Sequence, residues 1–119
     1  MQIDYEQIDK GILKINLSGR LDVAGTQQID PKLADLTGPP TRSVIVDLSK
    51  VGFLASAGVR TLLINAKALR SRGGRMVLLN PDPNVSKVLE LSGLDMTIGV
   101  FRDLAGACAA LSGKTPGSA

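Results

Sequence analysis

Apolar and polar positions alternate in two runs at the start of the chain. Ile3, Tyr5 and the more distant Ile8 mark a first strand between Gln2 and Ile8, and "GILKINLSG" sets Leu13, Ile15 and Leu17 against Ile12, Lys14 and Asn16. Asp9-Lys10-Gly11 between the runs reads as a tight hairpin turn. Beyond "GRLD" the period lengthens: Val23, Gln27 and Asp30 are separated by Ala24, Ile29, Leu33 and Leu36, which is helical spacing. Asp22 is placed to cap that helix, and Pro31 must bend or break it. "TGPPTR" ends it.

"SVIVDL", Ser43 to Leu48, is a short continuous apolar run rich in β-branched residues, the pattern of a strand covered on both faces, and belongs in the middle of a sheet. After Ser56 the residues Val59, Leu62, Leu63, Ala66 and Leu69 form one helical stripe, with Arg60, Lys67 and Ser71 opposite. Gly73-Gly74 stops that helix. "RMVLLN" predicts a further strand, and "PDPNVSKVLELSGL" a short helix with Val85, Val88, Leu89 and Leu91 inward. "TIGVF" predicts the last strand, and "RDLAGACAALSG" a final helix with Leu104, Ala107, Cys108 and Leu111 inward. Two antiparallel strands followed by alternating helices and strands predict an α/β domain, a mixed sheet of about five strands with about four helices. At 119 residues there is one core, so the expected organisation is a single domain over 1–113 and a flexible tail over 114–119.

Composition narrows the functions available. Hydrophobic residues make up 44% and charged residues 21%, as in an ordinary globular protein. Aromatics are 3% and the net charge of +3 is scattered, which argues against base stacking and against the concentrated basic stripe of a nucleic-acid binder. No apolar run approaches the roughly 18 residues of a membrane span and no secretory signal is visible, so a cytoplasmic protein with no membrane partner is expected. The single cysteine, Cys108, reads as helix packing. With no histidine in the chain, a hydrolase built on Ser56 lacks its usual general base, and no cofactor is implied.

"FLASAGVRTLL" carries the most specific local chemistry. Ser56 stands at the start of a helix, where its hydroxyl can cap the first turn. First-turn N–H groups and the helix dipole also favour an anion there, so the fold would tolerate a phosphate on Ser56. Ala55, Ala57 and Gly58 leave the hydroxyl within reach of another protein. Arg60, one turn on, is spaced to pair with a phosphate.

The run "VIVDLSKVGFLASAGVRTLL", then "AKALRSRGGRMVLLN" and "VLELSGL", resembles the STAS domain of bacterial anti-sigma factor antagonists over nearly the whole chain, from "LSGRLD" to the final helix. Gly73, Gly74 and Ser92-Gly93-Leu94 fall on that family's glycines and late "SGL". The resemblance implies a non-enzymatic protein that takes part in partner switching. Unphosphorylated, it binds an anti-sigma factor that is also a serine kinase; phosphorylation releases it, and a Ser/Thr phosphatase resets it. By position the phosphoacceptor is Ser56, with Ala55 where the family usually has aspartate and Ala57-Gly58 where it has Ser/Thr-Gly. The implied partner surface is Asp22, the Ser56 loop with Ala55, Ala57 and Gly58, and Arg60, Ile64 and Lys67 of the following helix.

Three other readings compete. A receiver domain phosphorylated on Asp47 requires an acidic pair after the first strand and a parallel sheet, and neither is indicated. A serine hydrolase requires Gly-x-Ser-x-Gly, which is absent. A non-phosphorylated STAS adaptor of a transporter or signalling assembly keeps the fold and changes the role.

Overall fold

The computed structural model describes residues 1–9 and 11–112. Strands β1 (Gln2–Asp9) and β2 (Ile12–Leu21) form the antiparallel hairpin; α1 (Val23–Thr37), β3 (Ser43–Leu54), α2 (Ser56–Ser71) and β4 (Arg75–Leu79) follow. α3 (Pro83–Ser92), a single turn α4 (Leu94–Thr97), β5 (Gly99–Phe101) and α5 (Leu104–Leu111) complete the order. The predicted turn residue Lys10 and the predicted tail, 114–119, lie outside the described residues.

The five strands stand in the order β1-β2-β3-β4-β5, antiparallel between β1 and β2 and parallel from β2 to β5. β3 is central, as its composition requires: Val44, Ile45 and Val46 are completely buried. Alternation then sorts the side chains. Leu13, Ile15 and Leu17 of β2, Val44, Val46 and Leu48 of β3, and Met76 and Leu78 of β4 face one way. There Ile29 and Leu33 of α1, Leu62, Ala66 and Leu69 of α2, and Val85 and Leu89 of α3 close the main core. Ile12, Ile45, Val77 and Leu79 face the other way, and α5 covers them through Ala107, with Cys108 and Leu111 alongside.

Several local expectations are corrected. β3 does not stop at Leu48; it continues to Leu54 because the end of β2 stays paired with it, Arg20 against Phe53 and Leu21 against Leu54, through two register shifts. α1 runs unbroken through Pro31, whose exposed ring costs the helix one backbone bond that the buried Ile29 and Leu33 offset. Leu91 is 79% exposed and Leu104 42% exposed, so neither joins the inward stripe assigned to it. α2 ends as expected: Gly73 takes φ +79° and the Gly74 N–H bonds the Leu69 carbonyl at 2.8 Å.

A polar ladder ties α1 to α2. The Thr61 hydroxyl donates to Asp30 Oδ1 at 2.7 Å, the Thr37 hydroxyl to Asn65 Oδ1 at 2.8 Å, and Asn65 Nδ2 to the Thr61 carbonyl at 2.8 Å. These bonds satisfy groups that burial would otherwise penalise, and they fix the rotation of α2 about its axis.

Candidate functional site

Parallel pairing brings the ends of β2 and β3, and with them the starts of α1 and α2, to one end of the sheet. The contact is direct: the Ala55 N–H donates to the Leu21 carbonyl at 2.9 Å. Gly58 makes the close approach possible, since a Cβ there would lie 2.6 Å from Leu54 Cδ1 and 3.0 Å from Leu21 Cβ. The Asp22 turn and the Ser56 turn are therefore neighbours.

Ser56 is not the cap of α2. Ala55, in extended conformation, holds that position and caps nothing with its side chain, while Ser56 is the first helical residue and is exposed. The residue type suggested the cap, but the backbone puts it one position earlier. Of the four helices of eight residues or more among the described residues, the other three are capped by an aspartate. Oδ1 of Asp22, Asp82 and Asp103 accepts from the N–H three residues on at 2.7, 2.8 and 2.7 Å. At α2 that acceptor is missing and the Ser56 hydroxyl has no hydrogen bond among the described residues.

The remaining expected site residues divide. Arg60 is exposed and lines the same groove as Ser56. Ile64, 57% exposed, and Lys67 lie further along the open side of α2 and outside that groove. Ala57 is half-buried, and Gly58 is buried, packed close to Leu54 and Leu21. Asp22 is engaged as a cap and lies 3.6 Å from Arg20 Nε, whose guanidinium stacks 4.3 Å above the Phe53 ring.

An apolar groove runs beside Ser56, a feature that the apolar stripe of neither helix predicts. It has a volume of ≈ 480 Å³ and lies between α2 and α3, walled by Val59, Leu63, Val88 and Leu91, with Ser56, Arg60 and Ser92 at its polar positions. One signal was available in the sequence: Leu89 and Leu91 are two apart on a helix and cannot both face the core. Burying Leu89 leaves Leu91 to solvent.

A second depression, of ≈ 330 Å³, is polar and lies on the sheet face that α5 leaves open, among Asp4, Glu6, Lys14, Asn16 and Asp47. Lys14 Nζ lies 3.2 Å from Asp47 Oδ2 and the Ser49 N–H donates to Asp47 Oδ1 at 2.9 Å. Burial pushes the Asp47 carboxyl up. The bonds from Ser49 and the Lys14 ammonium outweigh it and hold the group below the ordinary carboxylate value. Asp47 is thus a paired structural carboxylate with its turn closed by Ser49. No group of metal-ligating side chains occurs among the described residues.

The sheet order is sequential, so no strand reversal opens the crevice in which doubly wound folds hold small ligands. What remains at the helix starts is a surface: an uncapped turn with an accessible hydroxyl, a cation beside it and an apolar groove. A STAS domain profile matches residues 3–107, and the chain belongs to the STAS domain family. Among its relatives is BtrV of Bordetella bronchiseptica, a candidate anti-sigma factor antagonist by name, 33% identical over 116 residues that make up 98% of this chain and 99% of BtrV. The anti-sigma factor antagonist SpoIIAA in its unphosphorylated form superposes with a TM-score of 0.79 at 27% identity, over 97% of this chain and 100% of SpoIIAA. Bacillus SpoIIAA in its phosphorylated form gives 0.70 at 26% identity, over 92% and 98% of the two chains. Among the described residues, no helix is long and apolar enough to cross a membrane.

Proposed function

We propose that this protein is an anti-sigma factor antagonist that works by partner switching in the cytoplasm, with Ser56 as the phosphorylated residue. Unphosphorylated, it binds an anti-sigma factor that is also a serine kinase; the γ-phosphoryl group of ATP passes to the Ser56 oxygen, leaving ADP and a proton, and the complex dissociates, until a Ser/Thr phosphatase hydrolyses the ester to inorganic phosphate and restores the hydroxyl. Ser56 is a substrate residue in this reading and the chain catalyses nothing.

The observation that carries the reading is the state of the α2 start: an exposed Ser56 hydroxyl with no hydrogen bond among the described residues, on an uncapped first turn. A dianion there meets unpaired N–H groups and the positive end of the helix dipole, so the fold accepts it while the surface charge changes by about −1.5 to −2. Arg60, on the same groove, is placed to pair with it. The relatives named for anti-sigma factor antagonism support the class.

The test is phosphate incorporation. With ATP and the serine kinase encoded nearest to this gene, the protein is expected to take up one phosphate, and Ser56→Ala to take up none. Equal labelling of Ser56→Ala, or Ser56→Asp binding the kinase as tightly as the parent, refutes the reading.

A further inference from the structure

The two walls of the α2–α3 groove differ in charge. From Ser56 to Ser71, α2 contains no acidic residue, while Arg60, Lys67 and Arg70 are all exposed. Arg70 is tied to the Thr97 carbonyl at 3.1 Å. Arg60 has neither ion pair nor hydrogen bond among the described residues. On α3 the exposed charges, Lys87 and Glu90, offset each other. Between the helices the apolar surface is open, with Leu91 79% exposed at the groove. An open apolar groove beside an unengaged cation complements an apolar side chain that carries a carboxylate next to it.

We propose that this groove docks an acidic amphipathic segment of the protein partner. Its apolar side chains lie against Val59, Leu63, Val88 and Leu91, and its carboxylate on Arg60. The assignment rests on the partner-switching reading and gives release a specific form. A phosphate on Ser56 sits on the same groove, one helical turn from Arg60, and takes the guanidinium that the partner's carboxylate needs. Release is then a substitution of one anion for another at Arg60, reinforced by repulsion between them.

Full-length protein with labelled methyl groups is titrated by NMR with two synthetic helical peptides that share leucines at i, i+4 and i+7. One peptide carries flanking glutamates and the other flanking lysines. The glutamate peptide is expected to shift the methyl signals of Leu63, Val88 and Leu91 and to bind about tenfold tighter than the lysine peptide, a difference of about 1.4 kcal/mol. Leu91→Ser, at an exposed position that folding does not depend on, is expected to weaken it about tenfold, Arg60→Glu to reverse the preference, and Ser56→Asp to lower affinity for the glutamate peptide alone.

Equal affinity for both peptides overturns the proposal. So do shifts confined to the polar sheet face, self-association through the groove, or no shift up to about 1 mM peptide. The kinase assay separates this result from the parent reading. A chain that docks the glutamate peptide but takes no phosphate on Ser56 keeps the groove and loses partner switching. A chain that is phosphorylated but ignores the peptide does the reverse.

Discussion

Ala55→Asp would give α2 the cap that Asp22, Asp82 and Asp103 give the other long helices. The backbone is already set for it: Ala55 lies at φ −96°, ψ 171°, in the same extended region as Asp22 at −86°, −172° and Asp82 at −68°, 169°. By the pattern of those three helices, the new carboxylate accepts from the Gly58 N–H. An N-cap hydrogen bond contributes about 1 kcal/mol over alanine, and a negative charge at the helix start adds about 0.3–1 kcal/mol. The expected gain is therefore about 1–2 kcal/mol. Unfolding entropy near 2.1 cal/mol/K per residue, over the 119 residues of this chain, makes 1 kcal/mol worth about 4 °C in Tm. Thermal and urea unfolding followed by circular dichroism should thus show a Tm rise of about 4–8 °C with an unchanged m-value. Ala55→Asn, which keeps the hydrogen bond without the charge, should recover the larger share. A change within about 0.3 kcal/mol of zero for both variants, well below the cap value, means that the first-turn N–H groups are satisfied in some other way. The account of an open anion site at Ser56 then fails with it.

Other consequences can be checked in the same unfolding experiments. Asp47 titrates below its ordinary value in the folded state, so its contribution is present above the unfolded pKa of about 3.9 and is lost as pH falls through the lower folded value. Asp47→Asn should cost about 1 kcal/mol at pH 7 and progressively less as pH falls below the unfolded value and through the lower folded one, a convergence that a charge-independent packing defect would not produce. Gly25→Ala should destabilise by several kcal/mol despite the better helix propensity of alanine, because the new Cβ would lie 1.9 Å from the Arg20 carbonyl oxygen. An alanine variant as stable as the parent would show that the turn between β2 and α1 has room to relax.

The order of elements was legible because each has a strong period or a clear stop. "SVIVDL" could only be a buried strand, the stripe from Val59 to Leu69 could only be a helix, and Gly73-Gly74 could only end it. Boundaries were harder where pairing, not local preference, decides. Local preference reads β3 as Ser43 to Leu48, yet the strand persists to Leu54 because β2 runs beside it and absorbs the mismatch in two register shifts. The candidate site was legible in its residues and not in its shape. Ser56 and Arg60 stand out in the sequence. The position of Ala55 as the actual cap depends on backbone angles, and the groove depends on how α3 packs beside α2, a tertiary relation that neither helix encodes alone. Leu91 falls outside the buried stripe of α3 because Leu89, two residues away, takes the core position; it belongs to the groove.

The parallel register that places the starts of α1 and α2 side by side also separates what this protein recognises from what holds it together. The side chains that would meet a partner lie at helix starts and on the outer faces of α2 and α3, whereas Val44, Ile45, Val46, Leu62 and Leu69 are wholly enclosed. The exposed members of the first set, such as Arg60 and Leu91, can change without disturbing the second, whereas Val59, Leu63 and Val88 also pack against the core. A bacterium can therefore duplicate such a gene and retune one copy to a new partner by a few surface substitutions, without first rebuilding the fold. Insulation between parallel signalling routes would then rest on a handful of exposed positions such as 60 and 91.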